Sequence, residues 1–303
     1  MRKIIAIVMS ALVLIPIAAN ADSTSVNSNI VIIDTGYDAS VTKLSSNIVF
    51  EACFTNIVPS CPNGTNFQEG AGSAALNPAQ LRASTADHGT QMLSASSLIN
   101  PNTKFIFVRA YSIAGMGVYS PTDTDFYLIL NWLYANKDKL NIGAVVFSAA
   151  RPTTNCATFD ALTQKVNDFK SAGIPIFSAA GNNSDSINVA FPACLKPIIA
   201  VGSIDNYPWM SNWHSNYSNA GAALDFDALG NMVVTTAGNK SIQAVGTSIA
   251  AQVAAASWVA IHQAKPMLSY AQEYSLIKQT ATFSSNAKVK NVPTLSLAGA
   301  LKP

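Results

Sequence analysis

Residues 29–36 read Asn-Ile-Val-Ile-Ile-Asp-Thr-Gly, a run of four β-branched apolar residues followed at once by residues that end a strand. A continuous apolar run this short, bounded by turn residues, is typical of a strand that is buried on both faces of a sheet. Strands of that kind belong to parallel sheets, whose faces are covered by helices. The stretch therefore predicts the first core strand of an α/β protein, with Asp34 at its carboxyl end.

The rest of the chain alternates between strand-like and helix-like segments. Short β-rich runs recur at Lys104–Arg109, Gly143–Phe147, Ile174–Ala179 and Pro197–Val201. Helix-like stretches lie between and after them, at Gly89–Leu98, Asp123–Lys137, Ala157–Ala172, Gly246–His262 and Tyr270–Thr280. This alternation predicts an α/β fold with a mainly parallel central sheet, and right-handed crossovers place helices on both of its faces.

Length and composition narrow the class of protein. Of the 303 residues, 49% are hydrophobic and 11% are charged, whereas about a quarter of the residues of an ordinary soluble protein are charged. Disordered proteins have high charge and few apolar residues, so this chain is globular. A formal net charge of +2 provides no basic surface for nucleic acid or for a membrane. We expect a single domain over residues 22–303, a monomer, and no nucleic-acid partner.

The first 21 residues have the organisation of a signal peptide. Arg2 and Lys3 precede an uncharged, mostly apolar run from Ile4 to Ile17, and the small residues Ala19-Asn20-Ala21 favour cleavage before Asp22. The alternative is a transmembrane anchor, but the run is shorter than the roughly 20 apolar residues that span a bilayer. We therefore expect a secreted or periplasmic protein that is not held at a membrane after cleavage. Without Arg2 and Lys3 it is formally neutral.

Export changes the interpretation of the four cysteines, Cys53, Cys61, Cys156 and Cys194. An even number of cysteines in an oxidising compartment indicates disulfides, and four cysteines allow three pairings. The pairing Cys53–Cys61 with Cys156–Cys194 is the simplest, since it makes one small closed loop and one long staple. Free buried thiols are the alternative. The cysteines show no Cys-x-x-Cys or clustered Cys/His spacing of the kind that binds zinc.

Three widely separated residues have the order of a catalytic triad. His88 and Ser248 each lie where a turn opens a predicted helix, and Asp34 ends the first strand. A catalytic serine needs a base, and the base needs an orienting carboxylate. The α/β-hydrolase order fails, because the histidine after Ser248 is His262 and no aspartate lies between the two. The chymotrypsin order expects two β-barrels, which the helix-rich pattern excludes. Asp34, His88, Ser248 is the order found in subtilisin.

The chain resembles the subtilisin-like serine proteases (subtilases) in five segments. They are Ile30-Val31-Ile32-Ile33-Asp34-Thr35-Gly36, His88-Gly89-Thr90, Phe177-Ser178-Ala179-Ala180-Gly181-Asn182-Asn183, Phe191-Pro192-Ala193 with Ile198-Ile199-Ala200-Val201-Gly202-Ser203, and Gly246-Thr247-Ser248-Ile249-Ala250. They occur in the family's order over nearly all of the chain after residue 21. The resemblance implies the three-layer subtilisin-like fold and an exported endopeptidase that cleaves polypeptides through a Ser acyl-enzyme.

The resemblance also implies a role for individual residues. Ser248 would be the nucleophile, His88 the general base and acid, and Asp34 the group that orients His88. The Asn182 amide and the Ser248 backbone N–H would form the oxyanion hole, with Asn183 as the alternative to Asn182. Residues that bind the substrate backbone and shape the P1 pocket would be Ser148, Ala149, Ala150, Ser178, Ala179, Ala180 and Gly181. These walls are small and carry no acid, which favours an apolar or modest P1 side chain.

The chain departs from the family at several points. Only residues 22–29 separate the predicted cleavage site from the first strand, so we expect folding without a covalent prodomain. Leu98–Lys104 is too short for the family's common calcium loop, and we expect no metal ion and no cofactor. The motif around the serine has Ile249 in place of methionine and Gln252 in place of proline, and Gln91 replaces a histidine of the motif around His88.

Two other functions remain open on this evidence. One is a subtilase-fold binding protein with weak catalysis, against which the complete set Asp34, His88, Ser248 and Asn182 argues. The other is an esterase or an acyl-transferring enzyme, which would use the same acyl-enzyme as a protease.

Overall fold

Strand β1 (Asn29–Asp34) is an interior strand of a large sheet in the computed structural model, which describes residues 28–148, 150–207 and 210–302. It pairs in parallel with β4 (Phe105–Arg109) on one side and with β7 (Ile142–Phe147) on the other. Ile32 lies opposite Phe107 in one neighbour and Val146 in the other. The apolar run is thus the buried parallel strand that its pattern predicts.

The remaining elements complete the sheet and its helical layers. The other strands are β2 (Ile48–Phe54), β3 (Phe67–Glu69), β5 (Ser112–Ala114), β6 (Gly117–Tyr119), β8 (Ile176–Ala179), β9 (Ile199–Tyr207), β10 (Met210–His214), β11 (Phe226–Leu229), β12 (Asn231–Thr236), β13 (Lys240–Val245), β14 (Thr282–Ser284) and β15 (Val292–Thr294). The helices are α1 (Thr42–Ser45), α2 (His88–Ile99), α3 (Asp123–Asn136), α4 (Asp160–Ser171), α5 (Thr247–Ala264), α6 (Tyr270–Gln279) and α7 (Leu297–Ala300).

The large sheet has the strand order β14-β15-β11-β9-β8-β7-β1-β4-β2-β3, and β10 pairs with β9. Strands β3, β10 and β14 pair antiparallel with their neighbours, and the strands between β15 and β2 are all parallel. Two antiparallel hairpins, β5–β6 and β12–β13, stand apart from this sheet. The second hairpin leads directly into α5.

Two hydrophobic cores lie on opposite faces of the sheet, because successive side chains of a strand point to opposite sides. Ile30 and Ile32 of β1 pack into the core that contains α2 and α5. Val31 and Ile33 pack into the core that contains α3 and α4. The prediction of a mainly parallel α/β sheet with helices on both faces is confirmed.

Some element boundaries differ from those expected. Helix α4 begins at Asp160 rather than at Ala157, whose N–H donates to the Asn155 side chain in a local turn. Strand β2 was not expected, because Glu51 interrupts its apolar pattern. The buried Glu51 carboxylate is tolerated there because it accepts hydrogen bonds from the backbone N–H groups of Gly72 and Ala74, at 2.8 and 3.0 Å.

Both expected disulfides are present. Cys53–Cys61 closes a loop of eight positions, and Cys156–Cys194 joins residues 38 positions apart. The smaller loop is tied to the end of β4 through Ser60, whose Oγ accepts hydrogen bonds from Arg109 Nη2 (3.0 Å) and Ile113 N (3.1 Å).

Residues 1–27, which include the predicted signal peptide, lie outside the described part of the chain. Within the described ranges, no helix has both the length and the apolar character needed to cross a membrane.

Candidate active site

Asp34 ends β1 with its side chain fully buried beneath α2. Its Oδ1 accepts hydrogen bonds from the backbone N–H and the hydroxyl of Thr35, at 2.7 and 3.1 Å. The Thr35 hydroxyl shares its one proton between Asp34 Oδ1 and Ala86 O, which lies 2.8 Å away, and accepts from Gly89 N at 3.0 Å. These contacts fix the carboxylate and connect the end of β1 to the first turn of α2.

His88 is the first residue of α2, and its ring lies against Asp34. The distances from Nδ1 to Oδ1 and Oδ2 of Asp34 are 2.8 and 3.0 Å. A carboxylate can only accept, so Nδ1 carries the proton and Nε2 faces the cavity as the free acceptor of neutral imidazole. A β-carbon at position 89 would come within 2.1 Å of Gly36 O, so the close approach of α2 to β1 requires Gly89.

The electrostatic surroundings favour protonation of His88. Burial alone would lower its pKa, but the hydrogen-bonded Asp34 carboxylate and the neighbouring Asp87 charge together raise the pKa above 6.5. Asp87 is held in place by Thr236 Oγ1 and Gln91 Nε2, which donate to its Oδ2. The site therefore stabilises the imidazolium that forms when His88 accepts a proton.

Ser248 is the second residue of α5, the helix whose positive end faces the cavity. Gly246, directly before the helix, has a φ of 151°, a conformation that favours glycine. Among the described residues, the Ser248 hydroxyl donates to Ser148 O at 3.2 Å and not to His88. Ser148 lies just beyond the carboxyl end of β7, so strand β7 and helix α5 meet at the serine.

Asn182 is oriented by the residue before the serine. Its Oδ1 accepts from the backbone N–H and the hydroxyl of Thr247, at 3.0 and 2.8 Å. With Oδ1 engaged on the side of α5, Nδ2 is the donor that the side chain offers to a ligand. Asn183, the alternative from the sequence, uses its own backbone N–H to bond Asn219 Oδ1 at 2.8 Å.

A cavity of about 310 Å³ brings these side chains together. It is lined by Thr35, Thr85, His88, Tyr111, Ser148, Ala150, Pro152, Asn182, Asn183 and Ser248. The cavity therefore brings together five of the predicted residues and Asn183, the alternative to Asn182. Asp34 lies behind His88, whereas Ser178, Ala179, Ala180 and Gly181 are buried in and just after β8 and are not among the residues that line the cavity. Ala149 lies outside the described residues, and the substrate-binding roles stay predictions.

Sequence reasoning missed four cavity residues, Thr35, Thr85, Tyr111 and Pro152, although Thr35 lies within the motif that follows β1. Burial and the Asp34 charge raise the pKa of Tyr111, which keeps its hydroxyl neutral. Tyr111 could have been found from its position, two residues after the carboxyl end of β4, since ligands of parallel sheets bind at that edge. Thr85 and Pro152 have no comparable signal in the sequence.

The other two histidines lie outside the cavity. His214 Nδ1 is 2.7 Å from Asp227 Oδ2, and both side chains are fully buried. His262 Nδ1 is 3.2 Å from Glu273 Oε2, at the far end of α5. Each pair joins a histidine to a carboxylate, as His88 and Asp34 do, but neither histidine lines the cavity that contains Ser248.

The expectation of no calcium ion in the segment after α2 stays a prediction. Two of its side chains donate hydrogen bonds to other parts of the protein, Asn100 Nδ2 to Gln263 Oε1 at 3.1 Å and the Thr103 hydroxyl to Ser28 O at 2.7 Å. Calcium takes six to eight oxygen ligands, usually with carboxylates among them. Within the described ranges, no three His, Cys, Asp or Glu side chains are grouped closely enough to hold a metal ion.

The chain is similar to known proteases over much of its length. The alkaline elastase YaB of Bacillus sp. (strain YaB) is 28% identical over 226 residues, which are 71% of this chain and 55% of that protein. Subtilisin DY of Bacillus licheniformis is 26% identical over 188 residues, which are 61% of this chain and 63% of that protein. The chain thus spans less than two thirds of the length of either relative.

Solved structures and a family model extend the comparison. A cold-adapted subtilisin-like serine proteinase superimposes with a TM-score of 0.65 at 20% identity, covering 88% of this chain and 87% of that one. This likeness confirms the three-layer subtilisin-like fold. The model of the subtilase family matches residues 27–296, nearly the whole described part of the chain. The chain therefore belongs to the subtilase family.

Proposed function

We propose that this protein is an exported serine endopeptidase, secreted or periplasmic, that hydrolyses polypeptides. One observation carries the proposal: the buried Asp34 carboxylate holds the Nδ1 side of His88, at 2.8 Å, and the cavity beyond the ring also contains Ser248 and Asn182. Acyl transfer by a serine requires a carboxylate, an imidazole and a hydroxyl in this order. Asp34, His88 and Ser248 are the proposed triad.

The first half of the reaction forms the acyl-enzyme. The Ser248 hydroxyl leaves its hydrogen bond to Ser148 O and turns to His88 Nε2, which takes its proton as Oγ attacks the scissile carbonyl carbon. Asp34 keeps the proton on Nδ1 and stabilises the imidazolium. His88 then gives the proton to the leaving amine as the C–N bond breaks, and the acyl group remains on Ser248.

The tetrahedral oxyanion needs donors that are in place before the reaction. Asn182 Nδ2 and the backbone N–H of Ser248, at the positive end of α5, are suited to this role. In the second half of the reaction, His88 takes a proton from water as the water oxygen attacks the ester carbonyl carbon. His88 then gives that proton to Ser248 Oγ as the C–O bond breaks, which releases the acid product and restores both residues. No metal ion or cofactor is part of the proposal.

The cavity also bears on the substrate. Its lining includes small residues such as Ser148 and Ala150, and none of the lining residues is acidic. A pocket without a carboxylate offers no partner for Lys or Arg, which supports an apolar or modest P1 side chain. We propose that the protein acts as a monomer on extended polypeptides.

Labelling with a fluorophosphonate tests the proposed function. We expect the folded protein to form one covalent adduct, mapped to Ser248 by mass spectrometry, and heat-denatured protein to form none. Hydrolysis of casein by the same preparation would then support a protease, whereas hydrolysis of small esters alone would indicate an esterase. Absence of an adduct in folded protein would favour a binding protein with the subtilase fold.

The pH dependence of kcat/KM provides a second test. Neutral His88 is the active base, and its pKa is raised by Asp34 and Asp87 against the opposing effect of burial. We therefore expect activity to be lost as pH falls through a midpoint above 6.5. Asp87→Asn removes one of the raising charges and should move that midpoint to lower pH.

Asp160→Asn is the matched control, since it removes the same charge from an exposed position in the first turn of α4, on the other face of the sheet. Equal midpoints in wild type and Asp87→Asn would show that Asp87 does not act on the base. The effect on stability has the opposite sign: the raised pKa contributes stability that is present below pH 6.5 and is lost as pH rises through the folded-state pKa.

A further inference from the structure

Gln252 is a polar side chain with no exposure to solvent, on α5 one turn after Ser248. Both ends of its amide are engaged. Nε2 donates to Ser148 Oγ at 2.8 Å, and Oε1 accepts from Ser96 Oγ at 2.7 Å. The family motif has proline at this position, and a proline could make neither contact.

The two hydrogen bonds connect three elements of the site. Ser96 lies on α2, the helix that begins with His88, and Ser148 follows β7. Ser96, Ser148 and Gln252 are all buried. A buried amide is destabilising unless its donors and acceptors are paired, so it favours the one arrangement of α2, α5 and β7 that satisfies both ends.

Ser148 connects this arrangement to the cavity. Its hydroxyl is held by Gln252, its carbonyl oxygen accepts from the Ser248 hydroxyl, and it lines the cavity together with Ala150. A shift of the end of β7 would therefore move one wall of the cavity relative to the nucleophile. The binding of a substrate that extends along this wall depends on where the wall lies. The binding of a small ester that occupies only the space beside Ser248 does not.

We propose that Gln252 is a positioning residue that holds the carboxyl end of β7 against Ser248 and so aligns an extended peptide for attack. The proposal rests on the proposed peptidase function. Gln252 touches neither the substrate nor the reacting atoms, and it acts through Ser148. Its effect is on binding of long substrates rather than on the reactivity of the serine.

The test compares Gln252→Met with Gln263→Met. Gln263 lies on the same helix and accepts from Asn100, the residue directly after α2, at the end of the helices remote from the cavity. Methionine keeps the length of glutamine and removes its hydrogen bonds. For Gln252→Met we expect the KM of a peptide substrate to rise about tenfold, roughly the effect of one lost hydrogen bond. The rates of small-ester hydrolysis and of fluorophosphonate labelling should change less than about twofold.

A second pair of variants covers the case in which Gln252→Met does not fold. Ser96→Ala removes one end of the bridge, and Ser97→Ala removes a neighbouring hydroxyl that bonds Leu93 O within α2 itself, at 2.8 Å. We expect the KM of the peptide substrate to rise in Ser96→Ala and to stay at the wild-type value in Ser97→Ala. A parallel loss of peptide and ester hydrolysis, or an equal rise in KM for the controls, would overturn the proposal, because a purely structural role predicts both.

Hydrogen exchange separates this proposal from the proposed function. If wild-type protein is neither labelled nor active, the peptidase function fails, but the position of β7 is still measurable. Backbone amides of residues 143–148 should then exchange faster in Gln252→Met than in wild type or Gln263→Met. Equal exchange in all three would overturn the positioning role whatever the activity.

Discussion

Asp34→Asn is expected to lower kcat by about 10⁴-fold with the fold retained. In the wild type, the Asp34 carboxylate accepts the proton of His88 Nδ1, at 2.8 Å. The amide of the variant would instead present an NH₂ group to Nδ1, which would turn the ring to the other tautomer and place its proton on Nε2. That nitrogen could then no longer take the Ser248 proton. The amide oxygen can still accept from Thr35 N, so the turn after β1 is preserved.

Asp227→Asn is the matched control for this experiment. Asp227 is equally buried and also bonds the Nδ1 of a histidine, His214, at 2.7 Å, but it lies away from the cavity. The control should lower the thermal unfolding temperature and leave the kcat of the folded fraction close to wild type. Steady-state kinetics on protein whose folded fraction is measured by circular dichroism distinguishes the two variants. A loss below about tenfold in Asp34→Asn would show that His88 is not oriented as proposed.

Asn182→Ala is expected to lower kcat by about 10²–10³ with little change in KM, the loss typical of one oxyanion-hole donor. Nδ2 is the amide atom available to a substrate, because Oδ1 is held by Thr247 N and Oγ1 at 3.0 and 2.8 Å. A carbonyl oxygen gains negative charge only as Ser248 attacks, so the missing donor affects the transition state more than the bound substrate. Loss of the contacts to Thr247 should also cost about 1–3 kcal/mol of stability, measured separately by denaturant unfolding.

Asn183→Ala provides the comparison for this variant. Asn183 is the next residue, is exposed and lines the same cavity. Its backbone contact to Asn219 does not involve its side chain and survives the substitution. We expect kcat within about threefold of wild type, as for a side chain without a transition-state contact. If instead Asn183→Ala showed the larger loss, the oxyanion donor would be Asn183, the alternative left open by the sequence.

The core strands and the helices between them could be predicted from sequence because each has a local pattern. Five apolar runs correspond to β1, β4, β7, β8 and β9. The pattern fails where tertiary contacts decide the structure. Glu51 breaks the apolar run of β2, and it is accommodated there by backbone N–H groups of the loop around Gly72, which no local rule connects to it.

The residues of the candidate site also fall into two groups, those that have a signal in the sequence and those whose role depends on tertiary contacts. Asp34, His88 and Ser248 could be named because a triad has a chain order, and Asn182 because it lies in a motif that resembles the family's. Gln252 was visible only as a departure from that motif. Its partners, Ser96 and Ser148, are 156 and 104 positions away, so their meeting depends on the packing of α2, α5 and β7 and has no trace in sequence spacing.

The position of β1 has a consequence for the time course of synthesis. The first strand of the described chain is an interior strand, and later strands add on both sides of it. As the chain emerges from the ribosome, Asp34 and His88 come out long before Ser248, which follows His88 by 160 positions. On the proposed function, a nascent chain therefore carries the base before it carries the nucleophile. On the same basis, hydrolytic capacity would arise only after α5 has docked over the sheet, and an incomplete chain would have no peptidase activity of its own.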